Sequence, residues 1–139
     1  MSEQCVFCDM DEEYIVRESQ NIITILSNPY LVKGHSLVMP RDHFERLKEL
    51  PKWLRHELID EATVVQNLLM ERLGAPGCDL KQNYRPFLPP GRLKVNHLHF
   101  HVLPRWPEDE LYQRSMRYEK EIFTDLTPEI TKSLIEKLR

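Results

Sequence analysis

Three histidines, His97, His99 and His101, alternate with Leu98, Phe100 and Val102, and a chain in β conformation points all three imidazoles to one side. Neutral imidazole is a nitrogen nucleophile and a proton carrier near neutral pH. The spacing therefore sets one candidate nucleophile among groups able to donate hydrogen bonds or exchange protons. Protonating one ring disfavours protonating its neighbour, so packing alone gives no reason for the arrangement, and the alternation marks a reactive face. The same pattern also suits ligands converging on a catalytic metal with a bound water. A second chemical group lies at the N-terminus, where Cys5 and Cys8 form a C-x-x-C pair, while Cys78 stands alone in Gly-Ala-Pro-Gly-Cys-Asp. Two cysteines plus one make no disulfide framework. A redox pair, half of a zinc site and coincidence are all open readings, and the redox one lacks the usual preceding strand and following helix. A structural zinc site would need two more ligands, for which histidines are the available partners.

These side chains need elements to hold them. Leu98, Phe100 and Val102 are apolar and β-prone, so the strand carrying the histidines is expected to cover a core with its other face and to end at Pro104. Upstream, Tyr14 to Val16 and Asn21 to Ser27 read as a hairpin around Arg17-Glu18-Ser19-Gln20. Asn28-Pro29-Tyr30 breaks the second strand, Gly34 permits a turn, and Ser36 to Met39 is a β-like run stopped by Pro40. From Pro51 to Leu73 the apolar positions Trp53, Leu54, Leu58, Ala62, Val65, Leu68, Leu69 and Leu73 recur at helical spacing, with Gly74 placed to cap the end. Cys78 to Tyr84 reads as a strand, followed by a loop from Arg85 to Arg92 that holds Pro86, Pro89, Pro90 and Gly91. The tail from Glu108 to Arg139 reads as helical pieces, one over Glu108 to Phe123 and one after Thr127-Pro128-Glu129, where Thr caps and Pro takes the first helical position. The expected class is α+β, with a mostly antiparallel sheet of about five strands, one long amphipathic helix and C-terminal helical pieces.

Composition bounds the rest. With 139 residues, 41% hydrophobic and 29% charged at a formal net charge of −3, the chain is expected to form one soluble domain over residues 1–139, its core about residues 5–112 and its helical tail 108–139. No apolar run approaches the ~20 residues of a membrane span, and MSEQCVFCDM has neither a basic start nor an apolar stretch. A cytoplasmic address is the default. The mildly acidic balance argues against gripping long nucleic acid, while leaving room for a local basic pocket that takes a few phosphates.

His97-Leu98-His99-Phe100-His101-Val102-Leu103 resembles the signature of the histidine triad family over all its positions. Val32-Lys33-Gly34-His35-Ser36-Leu37-Val38-Met39-Pro40 is similar to the family's Gly-His-apolar-Pro segment, and Leu103-Pro104-Arg105-Trp106 follows the triad as in dinucleoside-polyphosphate-cleaving members. The resemblance implies a histidine triad fold and a structural zinc ion. Members that begin with C-x-x-C complete a tetrahedron with the first triad histidine and a histidine eight residues beyond the Gly-His one, which lands on His43. Cys5, Cys8, His43 and His97 would then hold the metal; otherwise His43 caps the segment before Phe44 and the thiols are free.

It further implies that His99 attacks the α-phosphorus of a nucleotide and forms a nucleotidyl-histidine, its other nitrogen held protonated by the carbonyl of His97. His101 would hydrogen-bond the phosphate or the scissile oxygen, with His35 in support. Phe7, Met10, Leu26 and Asn28 lie where similar proteins sandwich the base. Two departures stand out: Ser27 replaces the usual Asp or Asn for the ribose hydroxyls, a role to which Asn28 could shift, and Gly91-Arg92-Leu93-Lys94-Val95-Asn96 replaces the usual Gly-Gln-Ser/Thr-Val lead-in. Arg92 and Lys94 in that loop suit a substrate rich in phosphate charge.

The expected function is hydrolysis of a nucleotide conjugate, a dinucleoside polyphosphate resembling diadenosine tetraphosphate, by a homodimer whose sheets join with the long helix near the interface. Phosphate in place of water as acceptor would make a phosphorylase or nucleotidyltransferase. A nucleotide-binding scaffold with little turnover is the reading from a different class.

Overall fold

Leu54, Leu58, Ala62, Val65 and Leu69 are the buried residues of the longest helix, α1, Lys52–Leu73. They recur every three or four positions and make one apolar stripe. Pro51 occupies the N-cap with φ −62° and ψ 151°, and Gly74 ends the helix at φ 70°, the left-handed conformation that glycine tolerates best. Trp53 and Leu73, expected on the apolar face, are instead 58% and 49% exposed, because they fall to either side of that stripe.

The computed structural model describes residues 5–139. The remaining elements are β1 (Ile15–Glu18), β2 (Ile22–Leu26), β3 (Ser36–Pro40), β4 (Gly77–Gln82), β5 (Phe100–Arg105), α2 (Glu110–Ile122) and α3 (Pro128–Leu138). The five strands form one sheet in the order β1-β2-β3-β5-β4, every neighbour antiparallel. Alternation divides the sheet into two faces. Ile22, Val38, Phe100 and Val102 pack under α1 with Leu54, Leu58 and Val65. Ile23, Ile25, Leu37 and Met39 face the other way and are covered by Phe7, Met10, Tyr14 and Ile15. His101, opposite Leu37 in the register, points to this second face.

Several strand boundaries differ from expectation: β3 takes in Pro40 and β4 ends at Gln82 instead of Tyr84, and the larger differences lie in the first hairpin and the histidine strand. The first hairpin turns later, at Ser19-Gln20-Asn21, because the Ser19 amide donates to the Ile22 carbonyl at 2.8 Å and the Ser19 hydroxyl accepts from the Ile22 amide at 3.2 Å. Arg17 and Glu18 therefore belong to β1, where they pair with Glu61 and Arg41. The histidine strand begins only at Phe100, since the Leu98 amide donates to the Phe44 carbonyl at 2.6 Å and draws His97 and His99 out of the sheet. Pro104 does not stop it: β3 pairs with β5 no further than Val102, so beyond that point the missing N–H interrupts no ladder on the β3 side.

Asp109 and Thr127 cap α2 and α3 with their side-chain oxygens, Pro128 taking the first position of α3. Neither helix buries a residue. No described helix is long and apolar enough to cross a membrane.

Candidate active site and metal centre

His35 follows Gly34, whose φ of 96° turns the chain into β3. One strand over, His101 sits in β5 opposite Leu37, so the two imidazoles meet on the face away from α1. Their hydrogen-bond partners assign the protons. The Leu31 amide donates to His35 Nδ1 at 3.2 Å, so neutral His35 carries its proton on Nε2. That Nε2–H donates to His101 Nδ1 at 2.9 Å, which leaves the His101 proton on Nε2. Here it lies 3.5 Å from Asn83 Nδ2. Two N–H donors thus stand side by side at a cavity, an arrangement that welcomes an anionic oxygen.

His99 has the opposite tautomer. Its Nδ1–H donates to the His97 carbonyl at 2.6 Å, leaving the Nε2 lone pair free. Phe7 meets its ring edge-on at 5.2 Å between centroids, and His101 lies on the other side at 4.8 Å. Burial lowers the pKa of His99, although the bond to the His97 carbonyl pulls it back up. His101 is driven down to about 3 by burial first, then by the charges of His99, His35, Lys81 and Arg85. His35 falls to about 4, again by burial first and then by Lys81 and His99. All three rings are neutral at pH 7: one free nitrogen lone pair beside one polarised N–H. This pairing can deliver a nucleophile and receive a developing negative charge without moving a proton beforehand.

A cavity of about 200 Å³ opens onto His99 and His101. His99 and His101 form part of its wall, and Asn83, Tyr84, Arg85 and Lys94 line the remainder with the proline-rich loop. Arg46 stacks on the Tyr84 ring at 4.8 Å and braces that side.

His97 also borders the cavity, while its ring reaches the N-terminal cysteines. Its Nε2–H donates to the Pro40 carbonyl at 2.8 Å, freeing Nδ1. That Nδ1 lies 3.4 Å from Cys5 Sγ and 3.5 Å from Cys8 Sγ, and His43 Nδ1 is 3.4 Å from Cys8 Sγ. All four ligand atoms fall within 4.8 Å of one another. A tetrahedron with Zn–S of ~2.3 Å and Zn–N of ~2.0 Å has S···N edges of about 3.5 Å. The donor atoms are therefore spaced as the corners of such a site, with the His97 ring oriented from behind by a backbone carbonyl. Cys5, Cys8, His43 and His97 fit a metal, and Cys78 takes no part.

The other residues singled out in the sequence are more dispersed. Phe7 and Met10 line a second cavity, of about 240 Å³, with Ile15, Ile23, Glu18 and Arg41. Leu26, Ser27 and Asn28 line neither cavity. The Ser27 hydroxyl donates to the Pro29 carbonyl at 2.7 Å, and Asn28 Nδ2 lies 3.4 Å from the Tyr14 hydroxyl. Lys94 reaches the first cavity, but its ammonium bonds the Leu88 carbonyl. Arg92 sits at the corner of the turn closed by Gly91 and Lys94 and is not part of the wall. The sequence reading missed Lys81, Asn83 and Arg85. Their signal is the strand register, which sets Lys81 opposite His101, and nothing in local spacing reveals it.

The chain has relatives in sequence and in fold. The HIT domain family model matches residues 10–108. Among relatives, an uncharacterized HIT-like protein of Methanocaldococcus jannaschii is 32% identical over 76% of this chain and 81% of its own. An adenylylsulfatase of Arabidopsis thaliana is 25% identical over 87% of this chain and 65% of its own, and an adenosine 5′-monophosphoramidase of Schizosaccharomyces pombe is 29% identical over 76% and 77%. Among solved structures, a HIT family protein from Bacillus anthracis superposes with a TM-score of 0.70 at 19% identity over 99% of this chain and 96% of that one. A zinc-bound histidine triad family protein from Mycobacterium smegmatis does so with a TM-score of 0.58 at 27% identity over 81% and 88%. With its His35–His101 pair, its His99 lone pair and its Cys/His cluster all inside or abutting the matched segment, the chain belongs to the HIT domain family.

Proposed function

We propose that the protein hydrolyses a nucleotide conjugate, of the dinucleoside polyphosphate type, through a nucleotide covalently held on His99. One observation carries the reading: His99 donates Nδ1–H to the His97 carbonyl while its Nε2 stays unprotonated beside the Nε2–H of His101. The lone pair of His99 Nε2 attacks the α-phosphorus, a P–N bond forms, and the P–O bond to the leaving group breaks with its electron pair going to the departing oxygen. His101 hydrogen-bonds the phosphate or that oxygen, and His35 keeps His101 in the donating tautomer. A water then cleaves the P–N bond and releases the nucleoside monophosphate. Two relatives, named as an adenylylsulfatase and an adenosine 5′-monophosphoramidase, support the broader class of nucleotide conjugates.

Phe7, Met10, Leu26 and Asn28 form the base side of the pocket in this reading, with Ser27, or Asn28 in its place, toward the ribose hydroxyls and Arg92 and Lys94 on the phosphate loop. A structural zinc ion on Cys5, Cys8, His43 and His97 ties the N-terminal segment to the residue whose carbonyl holds His99. We assign the protein to the cytoplasm as a homodimer: β4 leaves one sheet edge unpaired among the described residues, and α1 exposes Ile59, Val64 and Met70.

The test mixes purified protein with diadenosine tetraphosphate, in water and with added phosphate, and follows products and intact mass, with His99→Ala as control. AMP with ATP, together with an adenylyl adduct lost in His99→Ala, is the expected result. ADP with ATP, formed only with phosphate, identifies a phosphorylase. Binding without turnover or adduct overturns the enzymatic reading in favour of a nucleotide-binding scaffold.

A further inference from the structure

The side of His101 away from His35 carries charge that the chemistry above does not use. β4 and β5 pair so that Lys81 lies directly across from His101, and directly opposed residues of an antiparallel pair project from the same face. His101 is thus flanked by His35 on the β3 side and by Lys81 on the β4 side. Two residues past the Asn83 donor in the register direction, Arg85 lines the same cavity as His99 and His101. Lys81 and Arg85 are both exposed, and among the described residues no carboxylate pairs with either. Arg17, Arg41 and Arg114, by contrast, each hold one, and Arg105 holds two. Of the charged residues in the wall, Glu45 is the one acid, and Lys94 is already engaged by the Leu88 carbonyl. The field at His101 is accordingly positive, which is also why both cations help depress its protonation.

Two unneutralised cations beside a neutral histidine triad fit one kind of chemistry. A phosphate or sulfate leaving group departs as an oxyanion that needs charge neutralisation and little or no proton. An amine leaving group departs from the same α-phosphorus only once it has been protonated, and a cation next to it brings no advantage. We propose that Lys81 and Arg85 form the leaving-group subsite of this chain and select nucleotide conjugates that expel an oxyanion, phosphate or sulfate in type, over those that expel an amine. The proposal rests on the His99 reading above and adds to it a specificity set from β4 and the loop after it.

The experiment compares kcat/KM for three substrates sharing the adenylyl group: diadenosine tetraphosphate, adenylyl sulfate and adenosine 5′-phosphoramidate. The variants are Lys81→Gln, Arg85→Gln, their double, and the charge-preserving Lys81→Arg with Arg85→Lys. Both side chains are exposed, so folding is not at stake. In the double variant the ratio of tetraphosphate to phosphoramidate kcat/KM is expected to fall by about 10- to 100-fold, the loss of a charge-assisted contact or two. The charge-preserving pair should hold that ratio within about threefold of the parent. A parallel fall for adenylyl sulfate assigns the subsite to oxyanions in general; a fall confined to the tetraphosphate assigns it to phosphate chains. A ratio that stays within about twofold in the double variant, whether both rates drop together or neither does, overturns the subsite while leaving the His99 reading intact. Absence of His99-dependent turnover on all three substrates overturns that reading and the subsite with it.

Discussion

At the scale of single residues the site is a statement about protons. A backbone amide at Leu31 sets His35, His35 sets His101, and the His97 carbonyl sets His99, so each neutral ring has one tautomer. Replacing His101 with Asn keeps a donor near its place but breaks the chain from His35. We expect kcat for diadenosine tetraphosphate to fall by about 10²–10³ while mass spectrometry still detects the adduct on His99; unchanged kcat would remove His101 from the chemistry. The same burial makes a stability prediction. His35 titrates near 6.5 in an unfolded chain but at about 4 here, and His101 at about 3. As pH falls below ~6.5 the unfolded state takes up protons first, so stability is full above that value and drains away toward the folded pKa values. His35 alone contributes a loss on the order of 3 kcal/mol at pH 4. Urea midpoints taken from pH 7.5 down to 4 should fall accordingly, and His35→Gln should flatten the decline; equal slopes in the two proteins would refute the assignment.

At the scale of elements, the precision of the site depends on how β3 and β5 are delivered. Gly34 is the hinge: a Cβ there would stand 2.6 Å from Leu73 Cδ1 and 3.0 Å from Pro104 Cγ, on a backbone at φ 96°. Leu73 is half-exposed and can swing aside, whereas the Pro104 ring is buried and fixed. Gly34→Ala is therefore expected to cost about 1–3 kcal/mol, chiefly as backbone strain. Because the next residue is His35, turnover should drop along with the denaturation midpoint. A variant as stable and as active as the parent would show that the turn relaxes without disturbing the histidine pair.

For the whole molecule, the Cys/His cluster joins parts of the chain that are far apart in sequence: the N-terminal segment, the loop after β3 and the lead-in to β5. A metal that binds the folded chain and not the unfolded one stabilises it by mass action. Stripping metal with a chelator should lower Tm, and added zinc should restore it, with one zinc per chain. His99→Ala should keep that zinc. Loss of metal in this variant would instead favour a catalytic metal on the triad, and a Tm indifferent to chelator would make the cluster four free side chains. The C-terminal helices lie outside this linkage: each has its cap and neither buries a residue.

Much of this was legible from residue types alone. The stripe from Leu54 to Leu69, the stop at Gly74 and the caps at Thr127 and Pro128 follow from local rules, because a helix satisfies its own backbone within a few residues. The alternation of His97, His99 and His101 pointed to the candidate site, and the resemblance to the histidine triad family named Cys5, Cys8, His43 and His97, whose ligand atoms the fold brings within 4.8 Å of one another. That alternation also implied one strand through all three histidines, and here local pattern was overruled. The carbonyls of Phe44 and Pro40 hold Leu98 and His97 outside the sheet, so His97 faces the metal cluster, His99 the cavity and His101 the strand partner. Only the tertiary structure decided which cations stand beside the histidines. Arg92 and Lys94 are near the triad in sequence, yet one sits at a turn and the other is held by a carbonyl. Lys81 stands beside His101 because two strands pair in one register among several that their patterns allow, and register is settled by the packing of both sheet faces together.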